Sequence, residues 1–251
     1  MVESNQSLPL QEAFEDVSTA DGNMECFWAH PAEGGPFPPV VLYMDAPGVR
    51  EELYDFVRRI AAQGYFAVIP NLYYRYGVKD PGARMMDMLY AHTNPMIIED
   101  TRSLITWLDG REQTLPGAMG CIGYCMSGKF VLAVTGAFPE RFKAMLSLYG
   151  VSHVTNKDDS AHLLIPNIMP DCSLYFGFAE HDPYVPDAEI DALSASLRQH
   201  RVDCVVEKVP GTGHGFAFPE RMAYHHEAAE RHWDIAFELF DRKLRPGQPA
   251  K

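Results

Sequence analysis

The chain has 251 residues, 47% of them hydrophobic, and a formal net charge of −13 at pH 7. That length and apolar content suit one sizeable core, and the negative charge argues against nucleic acid or an anionic membrane as partner. No stretch approaches the roughly 18 consecutive apolar residues of a membrane span, and the start lacks the basic and then apolar regions of a secretory leader, so a cytoplasmic location is expected.

Five cysteines (Cys26, Cys121, Cys125, Cys172 and Cys204) are odd in number, scattered and without a Cys-x-x-Cys pair. Four lie in apolar, strand-like runs, a pattern that fits a reduced protein better than a disulfide framework or a zinc ribbon.

In chain order, residues 13–17 and 24–30 read as strands joined by the hairpin signal Asp21-Gly22-Asn23. A Pro/Gly-rich loop over 31–39 leads to residues 40–44, a continuous apolar strand of the buried parallel type, broken by Asp45-Ala46-Pro47-Gly48. Residues 50–63 carry Leu53, Phe56, Val57 and Ile60 at helical spacing, with Gly64 as a stop, and 65–70 is the next buried strand. Strand, helix and strand in close succession imply a right-handed parallel unit.

The connection over 73–95 is rich in Met and Tyr, including Tyr73, Arg84, Met88 and Tyr90; such side chains cover a core or line a pocket. Residues 97–108 form an amphipathic helix with Ile98, Ile105 and Leu108 on one face. Strands follow at 142–149, 173–178 and 202–209, with a helix over 186–197 before the last of them. A final helix, starting near Pro219, buries Trp233, Phe237, Phe240 and Leu244. No internal repeat or second domain is apparent, so 1–251 reads as one domain: N-terminal strands to about residue 39 and a core over 40–244. This alternation specifies a doubly wound α/β domain, with a mostly parallel sheet and helices on both faces. Reactive groups then gather at the carboxyl ends of the strands.

At the centre, residues 118–134 run from a small, apolar strand into a helix, with Gly123-Tyr124-Cys125-Met126-Ser127 at the junction. This is the pattern of a nucleophile elbow with cysteine in place of serine. Small residues two before and two after the nucleophile let the sharp turn close. The turn places the sulfur at a helix N-terminus, where partial positive charge favours a thiolate. Asp182 ends the run Phe176-Gly177-Phe178-Ala179-Glu180-His181, and His214 lies in Gly213-His214-Gly215-Phe216 after the last strand. Nucleophile, acid and histidine therefore follow the order of an α/β-hydrolase, with one helix and one strand between acid and histidine.

These residues resemble the dienelactone hydrolase family. The matching stretches are residues 123–129 around Cys125, 180–186 around Asp182, 213–216 around His214, and 63–73. The resemblance runs from about Val40 to the last helix. It implies an α/β-hydrolase fold, Cys125 as nucleophile, His214 as its base, Asp182 as the group orienting that base, and Asp45 as a carboxylate helping to activate the thiol. Backbone N–H groups of Ala46 and Met126 are the expected oxyanion donors.

Four departures from the family pattern stand out. Asp45 replaces a glutamate, Ser127-Gly128 replaces Gly-Gly, Asn71 replaces a frequent aspartate, and Phe218 occupies the place of an arginine four residues after the histidine. Tyr73, Arg84, Tyr90 and Phe218 are candidate substrate contacts. With Phe218 beside His214, uncharged, apolar acyl groups are the expected preference, and the charge of Asp45 is expected to hold Cys125 largely as a thiol.

The expected activity is therefore that of a cysteine-dependent hydrolase of a lactone or small activated ester. It needs no cofactor and no metal, and its partner is a small molecule, with the chain a monomer or small homo-oligomer. The alternative is a catalytically silent relative that binds a small ligand or protein. A metal or redox centre from Cys121, Cys125, His225, His226 and His232 is the weaker reading, because histidines on a polar helix face are usually solvated and only His226 stands one turn from a carboxylate, Glu230.

Overall fold

The hairpin signal becomes β1 (Leu10–Thr19) and β2 (Gly22–Pro31), paired antiparallel with Thr19 opposite Gly22, in a computed structural model that describes residues 9–245. The chain start, read as leaderless, and the two ends of the 1–251 span lie outside the described residues. Gly22 has φ 129°, a conformation closed to most side chains, which is why the turn falls there.

Six further strands follow: β3 (Pro39–Tyr43), β4 (Phe66–Pro70), β5 (Met119–Tyr124), β6 (Phe142–Leu148), β7 (Ser173–His181) and β8 (Asp203–Gly213). The sheet order is β1-β2-β4-β3-β5-β6-β7-β8. β2 meets β4 antiparallel, and every pairing from β4 to β8 is parallel. Fully buried apolar runs such as Val40, Val41 and Leu42 form the central strands, as both faces are covered.

The helices are α1 (Glu51–Ala62), α2 (Met85–Ala91), α3 (Asn94–Asp109), α4 (Gly128–Ala137), α5 (Asp187–Gln199) and α6 (His226–Leu244). Successive strand residues point to opposite faces, so β5 reports the layering. Gly120 faces Phe240 and Leu244 of α6, whereas the Cys121 thiol faces the Thr135 hydroxyl of α4 at 3.7 Å. Phe56 of α1 meets Trp233 of α6 edge-on at 5.1 Å, placing those two helices together on one face. This is the α/β-hydrolase fold, with β3, β5, β7 and β8 ending at a common rim.

Three boundaries differ from expectation. α6 begins at His226, not near Pro219: successive turns occupy 215–225, and the His225 imidazole caps the helix by accepting the Ala228 N–H at 3.3 Å. Phe237 is only half-buried, stacked on Trp233. β7 and β8 run beyond Phe178 and Val209 to His181 and Gly213, because strand pairing carries through their polar ends. In the Met/Tyr-rich connection, Met88 is buried while Met86 and Tyr90 are exposed, so this segment chiefly covers the core.

Candidate active site

Cys125 begins the turn between β5 and α4 with φ 52°, the left-handed region that non-glycine residues rarely occupy. The turn closes on two glycines. A Cβ on Gly123 would lie 2.6 Å from the Ser127 carbonyl oxygen, and one on Gly128 would lie 2.2 Å from the Gly150 Cα. Ser127 adds what glycine could not: its buried hydroxyl donates to the Met44 carbonyl, tying the elbow to the loop after β3. From the other side, the Val151 N–H donates to the Cys125 carbonyl at 3.0 Å.

The partners of Cys125 are aligned by strand register. His181 at the end of β7 stands opposite Gly213 at the end of β8, so the next residues, Asp182 and His214, leave the sheet side by side. The Glu180 carboxylate holds this zipper closed by accepting the Gly211 N–H at 2.7 Å. His214 Nδ1 donates to Asp182 Oδ2 at 2.8 Å, and its Nε2 faces Cys125 Sγ at 3.1 Å. Asp182 Oδ1 accepts the Tyr184 N–H at 3.0 Å, so both carboxylate oxygens are engaged. Burial opposes charge on His214, but hydrogen bonds to Asp182 and Cys125 outweigh it and raise the imidazole to about 9. Two tyrosine rings flank the imidazole edge-on: Tyr149 at 5.1 Å and Tyr184 at 4.8 Å.

Asp45 is buried at the same rim, yet its oxygens are committed to guanidinium groups. Oδ1 accepts Arg50 Nη1 at 2.6 Å and Oδ2 accepts Arg221 Nη2 at 2.5 Å. Glu52 completes the cluster through Arg50 at 2.8 Å, and two acids with two bases cancel. The expectation that a free Asp45 charge suppresses the thiolate therefore loses its basis.

Phe218 is also corrected. It is fully buried, stacked on Phe56 at 5.2 Å and lying under the guanidinium groups of Arg50 and Arg221, so it is no substrate contact. Tyr73 is fully buried too; its hydroxyl donates to the Ala46 carbonyl at 2.6 Å, fixing the loop that carries the expected oxyanion donor. Arg84 is exposed and lies over the Tyr76 ring, and Tyr90 is 70% exposed; neither has a contact with the Cys125–His214 pair among the described residues. Asn71 uses both ends of its amide, donating to the Val78 carbonyl and accepting the Tyr73 N–H, which an aspartate could not do.

The residues of the alternative centre disperse. Cys121 faces α4, His225 caps α6, His226 meets the Tyr224 hydroxyl, and His232 pairs with the Tyr124 hydroxyl at 3.0 Å. Burial and the nearby Arg59 charge push His232 down to about 3, keeping it neutral. Arg50, Arg221, Tyr149 and Tyr184 were not singled out by the sequence, although Tyr184 lies inside the stretch around Asp182.

A sharp turn presenting a thiol, a histidine behind it and an acid behind that, all at the rim of a parallel sheet, define an α/β-hydrolase-type site. The family model of the dienelactone hydrolase family matches residues 24–244, and the chain belongs to that family. A protein of Synechocystis sp., provisionally named carboxymethylenebutenolidase, is 26% identical over 228 residues, covering 87% of this chain and 92% of that relative. A Methylorubrum extorquens protein with the same provisional name is 28% identical over 229 residues, covering 86% of this chain and 76% of the relative. Among solved structures, a protein of Klebsiella pneumoniae subsp. pneumoniae, provisionally a dienelactone hydrolase, superposes with TM-score 0.83 at 20% identity, covering 93% of this chain and 99% of the other. A dienelactone hydrolase-like promiscuous phosphotriesterase from metagenomic libraries gives 0.80 at 18% identity, covering 93% of this chain and 98% of the other. These two likenesses concern the fold.

Proposed function

We propose that this hydrolase works through an acyl-cysteine and opens a lactone or cleaves a small activated ester. The observation that carries this reading is the line Cys125 Sγ–His214 Nε2–Asp182 at 3.1 and 2.8 Å. With the thiol proton already held on His214, the Cys125 thiolate attacks the carbonyl carbon, giving a tetrahedral oxyanion that the Met126 and Ala46 N–H groups receive. Collapse expels the alkoxide, which takes the proton from the imidazolium; in a lactone it stays tethered to the acyl group. His214 then activates water, which releases the acid and returns the thiolate, with the proton on His214. Asp182 holds Nδ1 protonated throughout, so that Nε2 faces the sulfur.

The names of the relatives favour a butenolide as the lactone. Five free cysteines suit a reducing, cytoplasmic setting; among the described residues no helix is long and apolar enough to cross a membrane. The test is a screen of wild type and Cys125→Ala across lactones, chromogenic esters and thioesters. The expected result is hydrolysis of at least one lactone by wild type and none above background by the variant. Wild-type turnover in Cys125→Ala overturns the reading, and a protein inert toward the whole panel favours a ligand-binding relative instead.

A further inference from the structure

A second set of chemically capable side chains lies behind the elbow, with its serine and histidine closed off from solvent. Ser147 in β6 and His153 in the following loop are buried, with His153 Nε2 and Ser147 Oγ 2.9 Å apart. Glu189 on α5 accepts the backbone N–H of His153 at 2.7 Å, and the same oxygen stands 3.6 Å from His153 Nδ1. That separation is too long for a hydrogen bond, so His153 Nδ1 is buried with no partner among the described residues, and Glu189 holds His153 through its backbone N–H. Phe176 and Phe178 meet the imidazole edge-on at 5.5 and 5.6 Å. The serine and histidine are paired, but the ring is not bonded to the acid, and burial denies the pair any substrate. Its use has to be indirect.

What it holds is the loop over 149–153, which touches both ends of the reacting pair. The Val151 N–H grips the Cys125 carbonyl, and the Tyr149 ring packs against His214. Gly150 lies so close under the start of α4 that its own Cβ would fall 2.3 Å from Ser147 Oγ and 2.6 Å from the Gly128 Cα. The loop holds this shape at a cost, since Tyr149 (φ 37°) and Ser152 (φ 60°) are both left-handed non-glycine residues. Such conformations persist only where the surroundings over-determine them. His153 is the anchor: one side chain and one backbone N–H tie the loop to β6 and to α5, the helix that follows Asp182.

We infer that Ser147, His153 and Glu189 form a positioning relay that sets the spacing between Cys125 and His214 by holding the 149–153 loop against both. This rests on the reading of Cys125 and His214 as the reacting pair. None of the three touches substrate.

The test follows kcat, KM, thermal unfolding and the rate at which iodoacetamide alkylates Cys125, in His153→Ala, Glu189→Ala and His153→Gln. A misplacement near 1 Å can cost about 100-fold. Accordingly, His153→Ala and Glu189→Ala should lose about 10- to 100-fold in both kcat and alkylation rate, with KM within about 3-fold. Glutamine can still hydrogen-bond the Ser147 hydroxyl, so His153→Gln should regain most of that rate. Glu189 is partly exposed on a surface helix, so its variant keeps the test open if His153→Ala does not fold. Wild-type kcat and alkylation in Glu189→Ala, or variants that lower only the melting temperature, overturn the relay while leaving the catalytic reading intact. Hydrolysis that survives Cys125→Ala sinks the catalytic reading and the relay with it.

Discussion

His214 is raised to about 9 from an ordinary 6.5, chiefly because its bonds to Asp182 and Cys125 outweigh burial. In the proposed mechanism, the imidazolium that hands a proton to the leaving group thus persists to about pH 9 and is lost above it. We expect kcat/KM to fall as pH rises through about 9, read from a pH–rate profile. The same shift stabilises the fold fully below about 6.5, and that contribution fades as pH climbs through 9. Asp182→Asn removes the leading upward influence, so the limb should move to lower pH and kcat drop by about 10⁴; a limb fixed near 9 would mean that another acid partners the histidine. Arg221 gives a second prediction. It is one-third exposed, and a Cβ on Gly215 would come within 3.1 Å of its Cδ, beside His214. Among the described residues, of its guanidinium nitrogens only Nη2 is engaged. With Phe218 turned inward, the expected preference for uncharged acyl groups reverses: a lactone carrying a carboxylate should be opened faster than its neutral methyl ester, and Arg221→Met should erase that difference, worth about 10-fold or more for a charged hydrogen bond. Equal rates on both substrates in wild type would show that the guanidinium does not reach the substrate.

At the scale of elements, the site is three loops tied together: Met44 to the elbow by Ser127, Ala46 to the Met/Tyr-rich connection by Tyr73, and Asp182 to His214 by the β7–β8 register. Tyr73→Phe removes one hydrogen bond with little change of shape. It should lower kcat by about 2- to 10-fold with KM nearly unchanged; a rise in KM alone would make Tyr73 a substrate contact after all. These ties explain what the sequence could show. Cys125, Asp182 and His214 were legible because each stands at the end of a strand-like run within two residues of a glycine or proline. The Asp45 cluster was not, since Arg221 reaches Asp45 from 176 positions away and nothing local marks the pairing. Phe218 misled for a related reason: counting four residues from His214 does not reveal that the turns over 215–221 fold its ring inward.

For the molecule as a whole, the order of strands and helices follows from apolar runs alternating with helical spacing, and that much the sequence carried. Helix starts were less legible where the cap is a histidine, as at His225, rather than a serine or aspartate. Stability should rest on the packing of α1 and α6 over β5. Trp233 is buried against Phe56 and Phe237, and Trp233→Ala should cost about 3–5 kcal/mol in denaturant unfolding. Gly120 has no room for a side chain, as a Cβ would meet Phe240 at 2.8 Å, so Gly120→Val should cost about 1–3 kcal/mol by overpacking. A loss under 0.5 kcal/mol at both positions would show that this layer is not where the fold is held.

The acid and the histidine hang one residue beyond a pair of strands of which the outer, β8, is the sheet's last among the described residues and is paired there on one side only. Edge strands open before the centre of a sheet does. Fraying of β8 from its carboxyl end would part Asp182 from His214 while the central strands stay paired. Gentle heating should therefore inactivate the enzyme reversibly at temperatures where circular dichroism still reports an intact sheet, and deuterium should enter the β8 amides before those of β5. Catalytic competence and global folding would then have separate thresholds, with the lower one set by the rim of the sheet.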